Sequence, residues 1–418
     1  MLQSTTTPTA KSVRTRSGLL FLLGPAFVAA IAYVDPGNVA ANLTSGAKYG
    51  YLLVWVLVMA NFMAMLIQYQ SAKLGLVTGK SLPEILGERL GTRGRRLFWL
   101  QAELVAMATD LAEVVGGAIA LYLLFQVPLP IGGLIVGIIS MAMLTVQNKR
   151  GQRSFESIIM FLLAVITVGF LAGLLLSPPD AAGVASGLLP RFDGAESVML
   201  AAGMLGATVM PHAIYLHSAL ARDRHLDARS TPERLKRVLQ ATRLDVLAAL
   251  LLAGVVNIGM LLLAAATLTG VSGTDTIEGA HAAISAHLGP VIGVVFAVGL
   301  LASGLASTSV GAYAGATIMN GLLKVRIPLL TRRVVSLIPA VVLLAVGIDP
   351  TWALIVSQIV LSFGIPFALI PLLRLTGNAE LMGIHRDRLP LRLAALASAV
   401  LIVALNALLL WLTFSGQA

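Results

Sequence analysis

A chain of 418 residues with 57% hydrophobic residues, 11% charged residues and a mean hydropathy of +0.90 is not a soluble domain: such domains carry about a quarter charged residues. Cysteine is absent, which excludes disulfides and thiolate metal sites. The net charge of +10 invites a nucleic-acid partner only until its distribution is read, because it follows a membrane topology.

Residues 1–17 are a polar, basic tail without the pattern of a cleavable signal. Eleven membrane spans are then predicted, near 18–45, 50–76, 97–125, 129–147, 155–177, 196–220, 240–269, 284–320, 333–348, 351–373 and 391–414. Nearly all reach the roughly 20 residues that a hydrocarbon core about 30 Å thick requires. With the N-terminus inside, all but Lys48, Lys73 and Arg191 of the 29 lysines and arginines fall in the tail or in alternate loops. Lys73 lies at the inner end of span 2. The alternation is the positive-inside pattern and predicts a cytoplasmic N-terminus and an outward C-terminal SGQA.

Span 1 carries AYVDPGNVAAN, residues 32–42. A carboxylate at membrane depth costs roughly 2.5–3.5 kcal/mol. Pro36 removes a backbone donor and Gly37 loosens the helix, which frees carbonyls upstream. Asp35, the Asn38 amide oxygen and free carbonyls together make a cation site that an intact helix cannot offer. A kink with Asp35 paired to a lysine or arginine is the blander reading, and no basic residue is predicted at that depth.

Span 3, QAELVAMATDLAEVVGGAIAL, sets Glu103, Asp110 and Glu113 on one helical face. Buried acids in a row suit a proton relay; static salt bridges are the structural alternative, Glu103 above all. Span 6 is interrupted like span 1, with Met210, Pro211 and His212 in GATVMPHAIYLHSAL, 206–220. Two broken helices five spans apart divide the chain into two five-span halves, 18–177 and 195–373, with 391–414 as an eleventh span. An odd number of spans per half makes the halves inverted, the pattern of a transporter with its site at the midplane. Met210 bears on the cargo. A thioether is a soft ligand, while Mg²⁺ and Ca²⁺ prefer all-oxygen shells, so oxygen donors with one sulfur suit Mn²⁺ or Fe²⁺ and tolerate Co²⁺ or Cd²⁺. His212 titrates near neutrality and could gate protons or simply orient helices by a hydrogen bond. His217, on the same broken helix, is a lesser candidate. Asn257 in span 7 and Tyr33 are candidate site-lining groups. The NLT sequon at 42–44 reads as an accident of sequence.

DPGN in span 1 and MPH in span 6 resemble the paired signatures of the Nramp family of proton-coupled divalent-metal transporters. SGLASTSVGAYAGATIMNG, 303–321, is similar to that family's loop signature, with Leu305 and Ala316 where glutamine often stands. The resemblance spans essentially the whole chain. It implies an all-α, LeuT-like 5+5 inverted repeat with broken helices 1 and 6 and an eleventh helix, set in a bacterial plasma membrane. It implies metal ligation by Asp35, Asn38 and Met210 with the carbonyls of Ala32 and Ala207. Gln358, in VSQIVLSFGIPFAL, is implied to join them when the outside closes; taken alone, it reads as an interhelical hydrogen bond. Asp110 and Glu113 are implied in proton exit, and Arg332 and Arg333 of span 9 match the family's basic partners. No cofactor is expected: the metal is cargo, H⁺ is co-substrate, and the chain is expected to work as a monomer in the bilayer. Two other classes remain for comparison. A Na⁺-coupled symporter of the same fold for an amino acid could use a broken-helix site, although Asp35 would repel the substrate carboxylate. An intramembrane enzyme has no H-E-x-x-H and no Ser/His or paired-Asp arrangement to support it.

Overall fold

The computed structural model describes residues 22–325 and 327–415; the tail 1–17, the first residues of span 1 and the last three residues of the chain lie outside them. All regular structure among the described residues is helical. Span 1 is α1 (Pro25–Ala30), a 3₁₀ turn (Ile31–Tyr33) and α2 (Pro36–Tyr49). Span 2 is α3 (Val54–Thr78), after which α4 (Leu82–Arg89) lies in the loop. Spans 3 to 5 are α5 (Thr92–Phe125), α6 (Leu129–Arg150) and α7 (Gln152–Leu171). A short α8 (Ala181–Gly187) leads to span 6, α9 (Gly194–Thr208) and α10 (Pro211–Arg224). Then come α11 (Pro232–Thr267), α12 (Ile277–Leu288), α13 (Pro290–Leu323), α14 (Leu329–Val346), α15 (Pro350–Thr376), the single turn α16 (Ala379–Met382) and α17 (Leu389–Phe414).

Ten helical stretches among the described residues are long and apolar enough to cross a membrane. The broken span 1, in pieces too short to count alone, supplies the eleventh crossing. The structure departs from the predicted spans chiefly at span 8. The reading 284–320 runs across a boundary, because Gly289, at φ 94°, ends α12 and Pro290 starts α13. Proline fits the first helical turn, where its missing N–H goes unused, and glycine takes the positive φ without strain. Spans 3 and 7 begin earlier than expected, at Thr92 and Pro232, because their first turns are basic and extend beyond the apolar stretch.

The centre of the bundle is α5 against α13, with α7 on the other side of α13. Glycines set the spacing. A Cβ on Gly304 would lie 2.8 Å from the Gly117 Cα, and one on Gly299 2.9 Å from the Gly169 Cα. Backbones that close transmit helix position with little slack, as small residues do in membrane bundles. Around this centre, large apolar side chains such as Ile138, Phe161, Val335 and Leu396 face outward, as a hydrocarbon solvent permits.

Candidate functional site

The two breaks meet. Asp35 is the N-cap of α2: Oδ1 accepts hydrogen bonds from the Asn38 N–H at 2.8 Å and from Asn38 Nδ2 at 2.6 Å. The same Asn38 amide donates to the Ala207 carbonyl at 3.1 Å, tying span 1 to span 6. Asp35 and Asn38 are both buried, yet Asp35 Oδ2 and Asn38 Oδ1 accept nothing from the protein. Buried polar atoms are nearly always bonded, so two open oxygens on the first turn of α2 make this the candidate ligand site.

The backbone explains the rest of the set. In an unbroken helix the Ala32 carbonyl would take its hydrogen bond from residue 36 and the Ala207 carbonyl from residue 211. Both positions are proline, which has no N–H to give. Around Ala32 the neighbouring carbonyls are occupied. Ile31 accepts from the Val34 N–H at 3.0 Å, Tyr33 from Asn257 Nδ2 at 2.6 Å, Val34 from Ser303 Oγ at 2.5 Å, and Asp35 from the Val39 N–H at 3.1 Å. Met210, fully buried, is the N-cap of α10 three residues beyond Ala207. Gln358 of α15 comes to the same point: a Cβ on Gly37 would stand 3.0 Å from Gln358 Cδ and 3.4 Å from Asp35 Oδ2. Spans 1, 6 and 10 thus bring Asp35, Asn38, the Ala207 carbonyl and Gln358 together. Among the described residues no lysine or arginine forms an ion pair with Asp35, so the paired-kink reading fails. Nor do three His, Asp or Glu side chains cluster there among the described residues; the candidate set holds one carboxylate.

Beside the break runs a polar chain of which the sequence pointed to Tyr33, His217 and Asn257 but not to Gln68 or the part played by Asn42. Gln68 of α3 donates to the Tyr33 hydroxyl at 2.6 Å, and its Oε1 lies 2.8 Å from His217 Nδ1. Asn42 Nδ2 donates to Asn257 Oδ1 at 2.7 Å, and Asn257 in turn holds the Tyr33 carbonyl. Asn42 is therefore a buried structural group, which disposes of the sequon. His212 is buried and neither ring nitrogen meets a protein partner. The signal for Gln68 was present: amides inside an apolar span usually bond across helices.

The acids of span 3 have parted ways. Arg333 of α14 grips Asp110 through Nη1 and donates from Nε to Ser140 Oγ at 2.7 Å, while Thr308 Oγ1 donates to Asp110 Oδ1 at 2.5 Å. Arg332 pairs with Glu103 at 2.5 Å. Glu113, fully buried, faces Ser307 without a well-formed hydrogen bond and has no arginine on it. Gly311 and Gly315 of α13 make the room: a Cβ on Gly311 would lie 2.9 Å from Glu113 Oε2, and one on Gly315 would strike the Arg332 guanidinium. At the basic end of the bundle a cavity of about 510 Å³ opens between α4, α10 and α13, edged by Glu84, Arg222, Asp223 and Asn320.

The family model for natural resistance-associated macrophage protein-like (Nramp) proteins matches residues 26–412. This chain belongs to the Nramp family. It is 57% identical over 396 residues to the divalent metal cation transporter MntH of Mycobacterium tuberculosis, covering 95% of this chain and 92% of that one. It is 46% identical over 405 residues to MntH of Bacillus subtilis, covering 96% and 94%. Among solved structures, the Eremococcus coleocola manganese transporter superposes with a TM-score of 0.86 at 31% identity, over 96% of this chain and 87% of that one. A nucleobase-cation-symport-1 family transporter superposes with a TM-score of 0.60 at 17% identity, a likeness of fold alone. The Nramp architecture is the LeuT-like one with broken spans 1 and 6, and its members are transporters, not enzymes.

Proposed function

We propose that this Nramp protein carries divalent transition-metal ions, Mn²⁺ and Fe²⁺ first and Co²⁺ and Cd²⁺ by tolerance, inward across a bacterial plasma membrane by alternating access coupled to H⁺. The observation that carries the reading is the pair of open, buried oxygens on Asp35 and Asn38, with Pro36 and Pro211 withholding the helical donors of the Ala32 and Ala207 carbonyls and the Asn38 amide bridging to Ala207. Met210, buried three residues beyond Ala207, is the soft donor of the proposed set. Oxygen and sulfur together select a transition metal over Ca²⁺ or Mg²⁺. Gln358 completes the shell on the outer side. The manganese and divalent-cation transport named for its relatives agrees with this donor set.

The coupling is electrostatic. Asp35 holds either the metal or a proton, and metal arrival displaces the proton. Glu113 is the acid free to receive it, with His212 beside the break and Asp110, Arg333, Glu103 and Arg332 as the charged path beyond. The two five-span halves, 18–177 and 195–373, rock about the site, and span 11 stands apart. The basic end faces the cytoplasm, and one copy of the chain suffices. Amino-acid symport on the same fold is disfavoured because the Asp35 carboxylate would repel a substrate carboxylate.

The test is uptake in proteoliposomes. Mn²⁺ entry should rise with an inward proton gradient, and Met210→Ala should admit Ca²⁺ or Mg²⁺ better than the parent does. Unchanged discrimination in that variant would remove the thioether from the argument.

A further inference from the structure

Between the first turns of α5 and the C-terminal end of α13, the basic end of the bundle carries a groove of about 520 Å³, apart from the broken spans. Arg95, Arg96, Leu97 and Leu100 line it from α5, and Leu323 and Val325 line it from the end of α13 and just beyond. The exposed residues of α5 change character within one position. Arg93 and Arg96 are exposed, and then Leu97 is 68%, Leu100 48% and Leu104 55% exposed. Leucines left exposed at this helical spacing form a lipid-facing stripe, so the step from Arg96 to Leu97 marks the edge of the hydrocarbon. The groove straddles that edge.

Its arginines are open to an anion. Arg222, Arg224, Arg332 and Arg333 each have a carboxylate partner; among the described residues Arg95 and Arg96 have none. The N-terminus of the 34-residue α5 lies beside them, and its N-cap, Gly91, offers no side chain to the first N–H groups, which leaves them for an anion. Trp99 also lines the groove, and tryptophan favours the headgroup level. A free phosphate would use the arginines and leave the leucines unused; the continuity of charged and apolar lining fits a molecule with both parts.

We propose that this groove binds an anionic phospholipid, with the phosphate on Arg95, Arg96 and the start of α5, and an acyl chain along Leu97 and Leu100. Basic pockets of this kind at the ends of membrane helices recognise anionic headgroups.

Native mass spectrometry of the full chain in a neutral detergent tests it, by titration with phosphatidylglycerol and separately with phosphatidylcholine. Phosphatidylglycerol should be retained in preference. Arg95→Gln with Arg96→Gln should weaken its binding by about 30-fold, from roughly fivefold per arginine near an anionic surface. Arg95→Lys with Arg96→Lys should keep most of it. Lys236→Gln with Arg237→Gln, an exposed basic pair at the start of α11, should leave it unchanged. Equal retention of the two lipids, or an equal loss in both glutamine pairs, would overturn the proposal. Displacement of the lipid by millimolar inorganic phosphate would assign the groove to a soluble anion instead.

Discussion

Asp35 and Asp110 are buried equally well in the same bundle, and the protein treats them in opposite ways. Asp110 sits on an unbroken helix. Its backbone neighbours are consumed by the helix, so the carboxylate is neutralised from outside, by Arg333 and Thr308. Asp35 sits where the helix has come apart. The Asn38 N–H at the start of α2 and the Asn38 amide hold one oxygen, with the positive end of a helix behind them, and the second oxygen stays open. Here the unbroken helix buries a charge by closing its valence, while the broken one stabilises the anion with backbone donors and leaves one oxygen open.

The sharpest way to break this contrast is to remove the closing partner. Arg333→Gln strands Asp110 in the bundle and should destabilise the protein by about 3–5 kcal/mol, the usual cost of an orphaned buried charge. Asp110→Asn together with Arg333→Gln should recover a good part of the loss. The midpoint of unfolding in detergent reads both. Asp35→Asn should leave that midpoint within about 1 kcal/mol, since it removes no partner and relieves an open oxygen. If Asp35→Asn unfolds the protein as readily as Arg333→Gln, Asp35 is a structural pair in disguise.

The same Asp35→Asn variant should cut Mn²⁺ uptake by at least about 100-fold, because it takes the one anionic donor from the set. Calorimetric titration with Mn²⁺ should lose its heat in parallel. Next comes Met210→Ala, for which a shift of about tenfold toward Ca²⁺ in competitive uptake is expected from the loss of the soft ligand.

These expectations show what could be read beforehand. The break positions and the approximate span count were legible because proline, glycine and a carboxylate are conspicuous in an apolar span; Gln358, which meets the break, came only from the family resemblance. The pairing of the acids was only half legible. Helical spacing put Glu103, Asp110 and Glu113 on one face, but which arginine meets which acid depends on the rotation and depth of α14 against α5. Spacing within one helix carries no information about that. Gln68 and Asn42 escaped because an amide in a span has many possible partners until the neighbouring helix is placed. The α12–α13 boundary was missed because hydropathy continues across Gly289 while the backbone turns.

A third region, the base of α1, lies between the two extremes and allows the smallest test. Here a side chain closes the valence, but on backbone groups: both Asp245 oxygens accept, from the Gly24 and Ala26 N–H groups, each at 2.9 Å. Glu156 pairs with Arg224 at 3.2 Å beside them. Next to Arg224, His225 places Nε2 3.2 Å from the Leu22 carbonyl, so the half-helix is tied at its base and open at its tip. Burial, with the neighbouring Arg224 second, pushes the His225 imidazole down to about 4; Arg234 adds to the shift, while the Leu22 carbonyl and Asp227 oppose it. A histidine held below its ordinary value of about 6.5 takes up more protons unfolded than folded. Stability therefore rises with pH across the window from about 4 to 6.5, and is lost as the pH falls through it. The expected loss between pH 7 and pH 4.5 is about 2 kcal/mol from this residue. His225→Gln keeps an N–H for Leu22 and does not titrate, so its unfolding midpoint should fall less steeply with acid than the parent's while matching it near pH 7. Identical acid profiles for the two proteins would show that the Glu156, Arg224 and Asp245 charges govern the base of α1 and that His225 is a bystander.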